Sequence, residues 1–304
     1  MPMQTVKEIQ QLLGQYAARP QKKFGQCFLI DLKLMEKVLE MAEISSADTI
    51  VEVGPGTGSL TEELIARSSR VVACEIDRML AELLRNHFAD RENFTLIEGD
   101  ALAKKSAINP ELLAELAKSE HVKLVANLPY NIATSLVANM ALASWLTYRK
   151  VEGNPGVIFD SMTFTVQEEV AQRMVSKEGA DFGSVSVLLS ALGEVSLGKL
   201  VPRTAFWPKP KIESRIVHVK FSPEKADKLK DARVLSKLLN MTFTQRRKHI
   251  GTTSKARNAA FGREIFYPAL EIAQIDPAIR ADELAIEQYC DLANALVELL
   301  HKQN

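Results

Sequence analysis

Four consecutive residues carry the side chains best suited to chemistry: Asn127, Leu128, Pro129 and Tyr130. They follow the apolar run 122–126, which is typical of a buried strand, and precede a helical pattern over 133–143. Asn offers a carbonyl acceptor, and a residue before proline is held extended, which lets its backbone carbonyl face the same way. Two acceptors and an aromatic ring suit a planar base with an exocyclic amine. An ordinary strand-to-helix turn is the alternative interpretation.

A glycine-rich turn at 54–58 lies between a buried strand at 49–53 and a helix at 59–67. This order predicts the first unit of a doubly wound sheet, and the glycines let a ligand approach the backbone closely. The glycine spacing departs from the dinucleotide fingerprint, which makes a bound pyrophosphate the weaker interpretation.

Acidic residues follow the next two predicted strands, at 71–75 and 94–98. Glu75 ends the first, about twenty residues beyond the glycine turn, where folds of this type bind a ribose diol. Asp100 follows the second, where an acid can accept a hydrogen bond from an adenine amine. Either acid alone could be a helix cap or a solvated charge. Together with Asn127 they indicate a ligand with ribose and adenine but no phosphate chain, such as S-adenosylmethionine.

Two other segments mix basic and aromatic residues. Segment 19–31 contains a glycine that permits close backbone approach, which predicts either a lid over a pocket or an N-terminal arm packed on the domain. Segment 201–211 contains prolines that exclude a central strand, and its lysines suit a rim facing nucleic acid. Phe206 within it could instead be a hydrophobic anchor.

The formal net charge of +0 hides an uneven distribution. Residues 201–263 hold 16 Lys and Arg against 4 Asp and Glu, a net charge of +12, whereas 1–200 and 264–304 each carry −6. Such a basic block indicates a polyanion contact, with a solvated surface as the alternative. Arg246, Arg247 and Lys248 follow a predicted helix at 235–243, where they suit phosphates or complement the helix end.

Composition favours a globular chain of 304 residues with one large and one smaller domain. No apolar run reaches membrane-spanning length, and residues 1–20 lack a signal-peptide core. Three scattered cysteines suggest neither a disulfide framework nor a zinc cluster, so we expect no metal and a cytoplasmic location.

Hydrophobic patterns complete the predicted elements, with a domain boundary at Pro223. Further helices are predicted at 6–16, 32–42, 80–88, 167–174 and 282–300, further strands at 162–166, 184–192 and 214–221, and a loop at 147–155.

The chain resembles the KsgA/RsmA-type small-subunit (16S) rRNA adenine N6,N6-dimethyltransferases over nearly its whole length, with the motifs in the family's order. The matching segments are 23–29 (KFGQCFL), 53–58 (VGPGTG), Glu75, 99–100 (GD), 127–130 (NLPY), 166–171 (VQEEVA), 206–211 (FWPKPK) and 243–248 (FTQRRK).

This resemblance implies an α/β fold in two parts. Residues 1–222 would form a Rossmann-like class I S-adenosylmethionine-dependent methyltransferase domain, with an N-terminal arm and a mostly parallel seven-stranded sheet. Residues 223–304 would form a small all-helical domain that contacts RNA or the ribosome. The implied activity is dimethylation of N6 on two adjacent adenines in the 3′-terminal hairpin loop of 16S rRNA, coupled to ribosome biogenesis. The implied partners are this rRNA and the immature small subunit, and the protein itself is expected to be a monomer.

The resemblance and the residue patterns together yield three sets of site residues. The catalytic set is Asn127, Leu128, Pro129, Tyr130 and Phe206. The S-adenosylmethionine set is Gln26, Cys27, Leu29, Gly54, Gly56, Glu75, Ile76, Asp100, Ala101 and Asn127. The RNA-binding set is Lys22, Lys23, Lys209, Lys211, Arg246, Arg247 and Lys248. At Cys27 the family commonly has Asn, a stronger hydrogen-bond partner, so one cofactor contact is expected to be weaker.

Three other functions fit parts of these patterns. A large-subunit rRNA methylase of the antibiotic-resistance type shares the chemistry, and Leu128 with the C-terminal basic helices weighs against it. A second alternative is a ribosome-assembly factor whose catalysis is secondary. The intact Glu75, Asp100 and Asn127 weigh against it, because they indicate retained activity. A nicotinamide dehydrogenase is the most distant, because the glycine spacing disfavours it.

Overall fold

A computed structural model describes residues 5–16, 18–257 and 259–303, except for the side chains of Lys22 and Gln303. The chain divides by its internal contacts into two compact units. The first comprises Met1–Ala171 with Ser196–Lys220, and the second Gln172–Val195 with Phe221–Asn304.

The first unit contains most of the strand residues and the first six helices, and a seventh helix begins in it. The strands are β1 (Phe28–Leu29), β2 (Thr49–Val53), β3 (Arg70–Glu75), β4 (Phe94–Glu98), β5 (Leu102–Lys104), β6 (Ala107–Ile108), β7 (Val122–Asn127), β8 (Phe159–Gln167), β9 (Gly193–Val201), β10 (Phe206–Trp207) and β11 (Ser214–Phe221). The helices are α1 (Val6–Gln15), α2 (Leu32–Ala42), α3 (Ser59–Arg67), α4 (Arg78–His87), α5 (Pro110–Leu116), α6 (Ala133–Tyr148) and α7 (Glu168–Val175). Along the chain, α7 and β9 each pass from one unit to the other.

Seven strands form one sheet in the order β4-β3-β2-β7-β8-β11-β9. The five strands from β4 to β8 in this order run parallel, and β11 is antiparallel to β8. The predicted mostly parallel seven-stranded sheet is therefore confirmed. Every residue of β2 is buried, as expected for a strand covered on both faces, and parallel strands place their carboxyl ends at one edge.

Two register pairs align polar residues at the carboxyl end of β7 and beyond it. Asn127 of β7 lies opposite Thr165 of β8, and Gln167 of β8 lies opposite Ser214 of β11. The carboxyl end of β8 and the first residue of the antiparallel strand β11 therefore lie near the segment that follows β7.

The second unit is helical. Its helices are α8 (Ser184–Leu192), α9 (Pro223–Asp227), α10 (Ala232–Phe243), α11 (Ile250–Thr253), α12 (Arg263–Ile272) and α13 (Ile286–Gln303). Tyr289 is fully buried, donates a hydrogen bond to the Ala281 carbonyl at 2.7 Å and stacks on Phe243 with ring centroids 5.6 Å apart. An aromatic core with a satisfied hydroxyl thus holds these helices together.

Arg246 is part of the framework of this second unit. Its guanidinium donates to the carbonyl oxygens of Gly179 and Ala180, each at 2.8 Å, and pairs with Asp282 at 3.1 Å. The neighbouring Arg247 is exposed. The predicted basic run therefore contains one residue that joins parts of its own unit.

The strand predicted at 184–192 is wrong, because these residues form helix α8. Most of the helix is buried, and a short apolar run of this kind does not reveal its period from sequence. The Gly183 amide donates to Ser186 Oγ at 3.0 Å, which satisfies a backbone donor at the helix start.

Other boundaries differ from the prediction. Residues 172–195 group with the second unit, whereas the predicted first domain extends unbroken to 222. The last helix begins at Ile286, and α6 continues to Tyr148 into the predicted loop. In the described part of the chain, no helix is both long and apolar enough to cross a membrane.

Replacing Arg246 should destabilise the protein more than replacing its exposed neighbour. Arg246→Met removes the charged donor from two carbonyls and from Asp282, so we expect a loss of about 1.5–3 kcal/mol in the free energy of unfolding. Arg247→Met is the matched control and should change it by less than roughly 0.5 kcal/mol. Urea unfolding followed by circular dichroism measures both, and equal stabilities would contradict the structural role.

Candidate active site

A pocket in the first unit lies at the carboxyl edge of β2, β3, β4 and β7. It is open to solvent and has a volume of about 1030 Å³, which includes space continuous with the solvent. Its walls come from the strand ends and from residues 24–29, which belong to the N-terminal arm. Pockets at this edge are the usual ligand sites of open α/β sheets.

The glycine turn after β2 forms the floor of the pocket. Gly54 and Gly56 have φ values of +73° and +64°, which residues with a side chain rarely adopt. A Cβ on Gly56 would lie 2.9 Å from the Phe28 ring, and one on Gly54 would lie 3.0 Å from Pro129 Cγ. The turn therefore needs glycine both for its conformation and for its packing against the arm and the 127–130 segment.

Glu75 is a buried carboxylate at the end of β3, only 3% exposed. Burial raises its pKa to about 7, against the opposing effect of backbone donors. These include the amides of Asp77 and Gly56, at 2.9 and 3.2 Å, and the amide of Ile76 has the same effect. Each oxygen accepts one such bond, which leaves further acceptor capacity for ligand hydroxyl groups.

Glu52 is a second buried carboxylate lining this pocket, and sequence reasoning did not single it out. Burial raises its pKa to about 8, while a hydrogen bond from Thr61 Oγ1 at 2.6 Å opposes the shift. The available signal was the acidic residue within the otherwise uncharged strand β2.

Ile76, Asp100 and Ala101 complete the wall beyond Glu75. Ile76 is 40% exposed, so its side chain presents an apolar surface in this wall. One oxygen of Asp100 accepts from the Leu102 amide at 2.9 Å. The wall combines an apolar surface with an acceptor, as a flat amine-bearing ring requires.

The arm is held to the pocket rim by side-chain amides. Asp77, which caps α4, accepts hydrogen bonds from Gln21 at 2.9 Å and from Gln26 at 3.0 Å. Gln26 Oε1 also accepts from the Gln21 backbone amide at 2.8 Å. The Gln26 side chain, predicted to bind the cofactor, thus helps to dock the arm. Gln26, Cys27 and Leu29 all line the pocket.

Asn127 lines the pocket with its carboxamide held at both ends. Nδ2 donates to the Cys27 carbonyl at 2.7 Å, and Oδ1 accepts from Thr165 Oγ1 at 2.5 Å. Tyr130, three residues further, forms a 2.8 Å hydrogen bond with Ser214 Oγ. Sequence patterns gave no indication of Thr165 or Ser214, because neither belongs to a recognisable local motif.

Cys27 contributes its backbone to this arrangement. Burial raises the pKa of its thiol, so the thiol stays protonated at neutral pH. The contact with Asn127 uses the Cys27 carbonyl, which any residue would supply at this position. The weaker side chain at 27 therefore leaves this contact intact.

The structure does not place Phe206, which was predicted to be catalytic, in the pocket. This residue is 2% exposed, and its strand β10 pairs with β1, where Phe206 lies opposite Leu29. It belongs to the hydrophobic core and is not among the pocket-lining residues of the described chain. This packing beside β1 agrees with the alternative interpretation of a hydrophobic anchor, and a catalytic role of Phe206 stays a prediction.

The predicted RNA-binding residues are distributed over both units. Lys23, Lys209 and Lys211 of the first unit are exposed, as are Arg247 and Lys248 of the second. Arg246 is committed to the internal contacts described above, and the Lys22 side chain lies outside the described part. Among described residues, no cluster of His, Cys, Asp or Glu could hold a metal ion.

The pocket residues fit an adenosyl group. Glu75 has acceptor capacity for a diol at the strand where such folds bind ribose, and Asp100 can accept from an exocyclic amine. Ile76 offers an apolar surface between them. Gly54 and Gly56 keep the backbone clear of side chains at the floor. The sheet order and this pocket define a class I S-adenosylmethionine-dependent methyltransferase.

Comparison with known proteins specifies the family within this class. Residues 17–298 match the family model described as ribosomal RNA adenine dimethylase, and the chain belongs to that family. A relative named "Ribosomal RNA small subunit methyltransferase A" from Clostridium botulinum (strain Okra / Type B1) is 32% identical, covering 95% of this chain and 98% of the relative. A relative of the same name from Leuconostoc mesenteroides is 33% identical, covering 94% and 93%.

Solved structures show the same fold. A dimethyladenosine transferase from Plasmodium falciparum superposes with a TM-score of 0.67 at 21% identity, covering 91% of this chain and 98% of that one. The 23S rRNA methyltransferase ErmE gives a TM-score of 0.59 at 23% identity, covering 89% and 99%.

Cofactor affinity should depend on pH through Glu75. Ligand hydroxyl groups donate to the ionised carboxylate, and the pKa of Glu75 in the free protein is about 7, so binding releases a proton below that pH. Affinity should therefore rise by up to about tenfold per unit as pH approaches 7, and level off above it. Calorimetric titration with S-adenosylmethionine measures this. Glu75→Gln cannot ionise and should flatten the profile; an unaltered profile would exclude Glu75 as its source.

Proposed function

We propose that this enzyme dimethylates N6 of two adjacent adenines in the 3′-terminal hairpin loop of 16S rRNA. The observation that carries the proposal is the Asn127 carboxamide, which lines the pocket at the end of β7 in a single defined orientation. The small-subunit name of the curated relatives favours this substrate over large-subunit rRNA.

The Asn127 oxygen and the Leu128 backbone carbonyl are the two acceptors for the adenine amine. That amine is a poor nucleophile, because its lone pair is delocalised into the ring. Acceptance of both N–H bonds draws the nitrogen towards tetrahedral geometry and localises the lone pair. When bound, S-adenosylmethionine supplies an electrophilic methyl group on its sulfonium.

Placement is the main catalytic effect of these residues. Orientation of two reacting groups can contribute up to roughly 7–11 kcal/mol in well-aligned cases. No strong base is needed before transfer, because alkylation makes the remaining proton acidic. The acceptors must also accommodate a monomethylated amine, since each base receives two methyl groups.

Tyr130 is the stacking partner of the target base. Its hydrogen bond with Ser214 holds the phenol while the ring lines the pocket, and base stacking is worth about 1–3 kcal/mol. The target base must leave its own stack, which is least costly in a loop. With Phe206 in the core, Tyr130 is the one ring of the predicted catalytic set that reaches the pocket.

RNA binding would use the exposed cations of each unit. Lys23, Lys209 and Lys211 serve in the first, and Arg247 with Lys248 in the second. Phosphate contacts of this kind position the substrate without reading its sequence. We infer that the substrate is the immature small subunit, and that the enzyme binds it in the cytoplasm as a monomer.

Methyl transfer to different ribosomal substrates tests the proposed function. Undermethylated small subunits, naked 16S rRNA and large subunits are each incubated with the protein and methyl-labelled S-adenosylmethionine. Label should enter adenines of the small subunit or its rRNA, as dimethyladenosine. Label confined to large subunits would instead identify the large-subunit alternative, and small-subunit binding without any label would identify the assembly-factor alternative.

Asn127→Ala should abolish this transfer while the protein still folds. It removes the side-chain acceptor from the amine, and the expected loss is at least about 10²-fold in rate. Single-turnover labelling measures the rate, and circular dichroism checks the fold. Turnover at the wild-type rate would refute the assigned role.

Neutralising Arg247 and Lys248 should flatten the salt dependence of RNA binding. Each phosphate contact contributes about 0.7–0.9 to the slope of log affinity against log salt, so Arg247→Ala with Lys248→Ala should reduce the slope by roughly 1–2. The control variant Lys37→Ala with Lys118→Ala removes two charges outside the basic block. Filter binding over a salt series measures the slopes, and an equal reduction in the control would contradict a specific contact.

A further inference from the structure

Thr165 is a fully buried residue of β8 whose hydroxyl contacts the Asn127 carboxamide. The two residues are register partners on adjacent parallel strands. Thr165 Oγ1 donates to Asn127 Oδ1 at 2.5 Å, and Asn127 Nδ2 donates to the Cys27 carbonyl at 2.7 Å. Both ends of the carboxamide thus have protein partners.

The chemistry of these partners determines which way the carboxamide faces. A backbone carbonyl only accepts hydrogen bonds, so Cys27 requires the NH₂ group of Asn127 on its side. The carbonyl oxygen then faces Thr165, and because this oxygen only accepts, the hydroxyl must donate. The reversed orientation would set two carbonyl oxygens against each other at Cys27.

This contact supplies an orientation that the side chain lacks by itself. The terminal torsion of Asn is broad, because it joins tetrahedral and planar atoms and has no sharp staggered minima. A carbonyl oxygen has two acceptor positions, and Thr165 occupies one of them, which leaves the other for a substrate N–H. Without the hydroxyl, only the Cys27 bond would restrain the carboxamide.

We propose that Thr165 is a positioning residue for methyl transfer, which aligns the Asn127 acceptor with the adenine amine through its hydroxyl hydrogen bond. The inference rests on the proposed function. Thr165 itself touches neither substrate nor cofactor in this scheme and acts through Asn127.

The chain offers a matched control on the same strand. Thr163 is also fully buried, lies two residues earlier on the same face of β8, and its hydroxyl bonds to His218 Nδ1 at 2.8 Å. Thr163→Val and Thr165→Val each remove one buried hydroxyl at nearly constant volume. Only the second removes a partner of Asn127, so their comparison separates positioning from a general effect on the sheet.

Single-turnover rates at saturating S-adenosylmethionine test the role in transfer. Thr165→Val should slow methylation of the small-subunit substrate by about 10- to 100-fold, because misalignment at the reacting atoms has effects of this size. Thr165→Ser keeps the hydroxyl and should recover most of the rate. Thr163→Val should remain close to wild type. A Thr165→Val rate no lower than that of Thr163→Val overturns the proposal.

A second readout does not depend on catalysis. The side-chain NH₂ signals of Asn127, identified by their loss in Asn127→Ala, are compared by nuclear magnetic resonance in the wild type and the two valine variants, without cofactor or RNA. They should shift or broaden in Thr165→Val only, and unshifted signals there would overturn the proposal. If the wild type methylates no ribosomal substrate, the proposed function fails. The amide signals then still decide separately whether Thr165 orients Asn127.

Discussion

The hydrogen bond between Asn127 Nδ2 and the Cys27 carbonyl joins segments 100 residues apart in the chain. It attaches the N-terminal arm to the end of β7, and the arm in turn forms one wall of the pocket. The same bond compels the Asn127 oxygen to face the other way, towards Thr165. This one contact therefore contributes both to the enclosure of the pocket and to the orientation of the amine acceptor. The hydrogen bonds from Gln21 and Gln26 to Asp77 also hold the arm in place.

Two buried carboxylates determine the electrostatics of the part of the pocket proposed to hold the cofactor. Glu75 and Glu52 are 3% and 2% exposed, and burial raises the pKa of both. Their different partners decide what each can do. Among the described residues, backbone amides of the adjacent turns donate to Glu75, which leaves it able to accept from a ligand at the strand edge. Glu52 lies within β2 and takes a hydrogen bond from Thr61 of α3.

Local patterns predicted most elements of the first unit well, because its strands are continuous apolar runs that end in glycine or a polar residue. They failed at 184–192, where burial on nearly all sides hides the helical period. They also gave no indication that Phe206 packs in the core or that Arg246 forms hydrogen bonds within its own unit. An aromatic residue among lysines resembles a nucleic-acid contact whether it points into the core or out of it. The sequence around Arg246, a run of basic residues, does not indicate that its guanidinium donates to the carbonyls of Gly179 and Ala180.

The amino-acid sequence alone indicated the family, the parallel strands of the sheet, the strand ends that carry Glu75, Asp100 and Asn127, and the uneven charge, since each of these is expressed in residue type and local spacing. It did not indicate the edge strand β9. Only the tertiary structure decided the partners: Thr165 for Asn127, Ser214 for Tyr130 and Asp77 for the arm. These pairs lie 38, 84 and 51 residues apart. The direction in which a side chain's hydrogen bonds point depends on which distant strand lies beside it, and strand neighbours are set by the packing of the whole sheet.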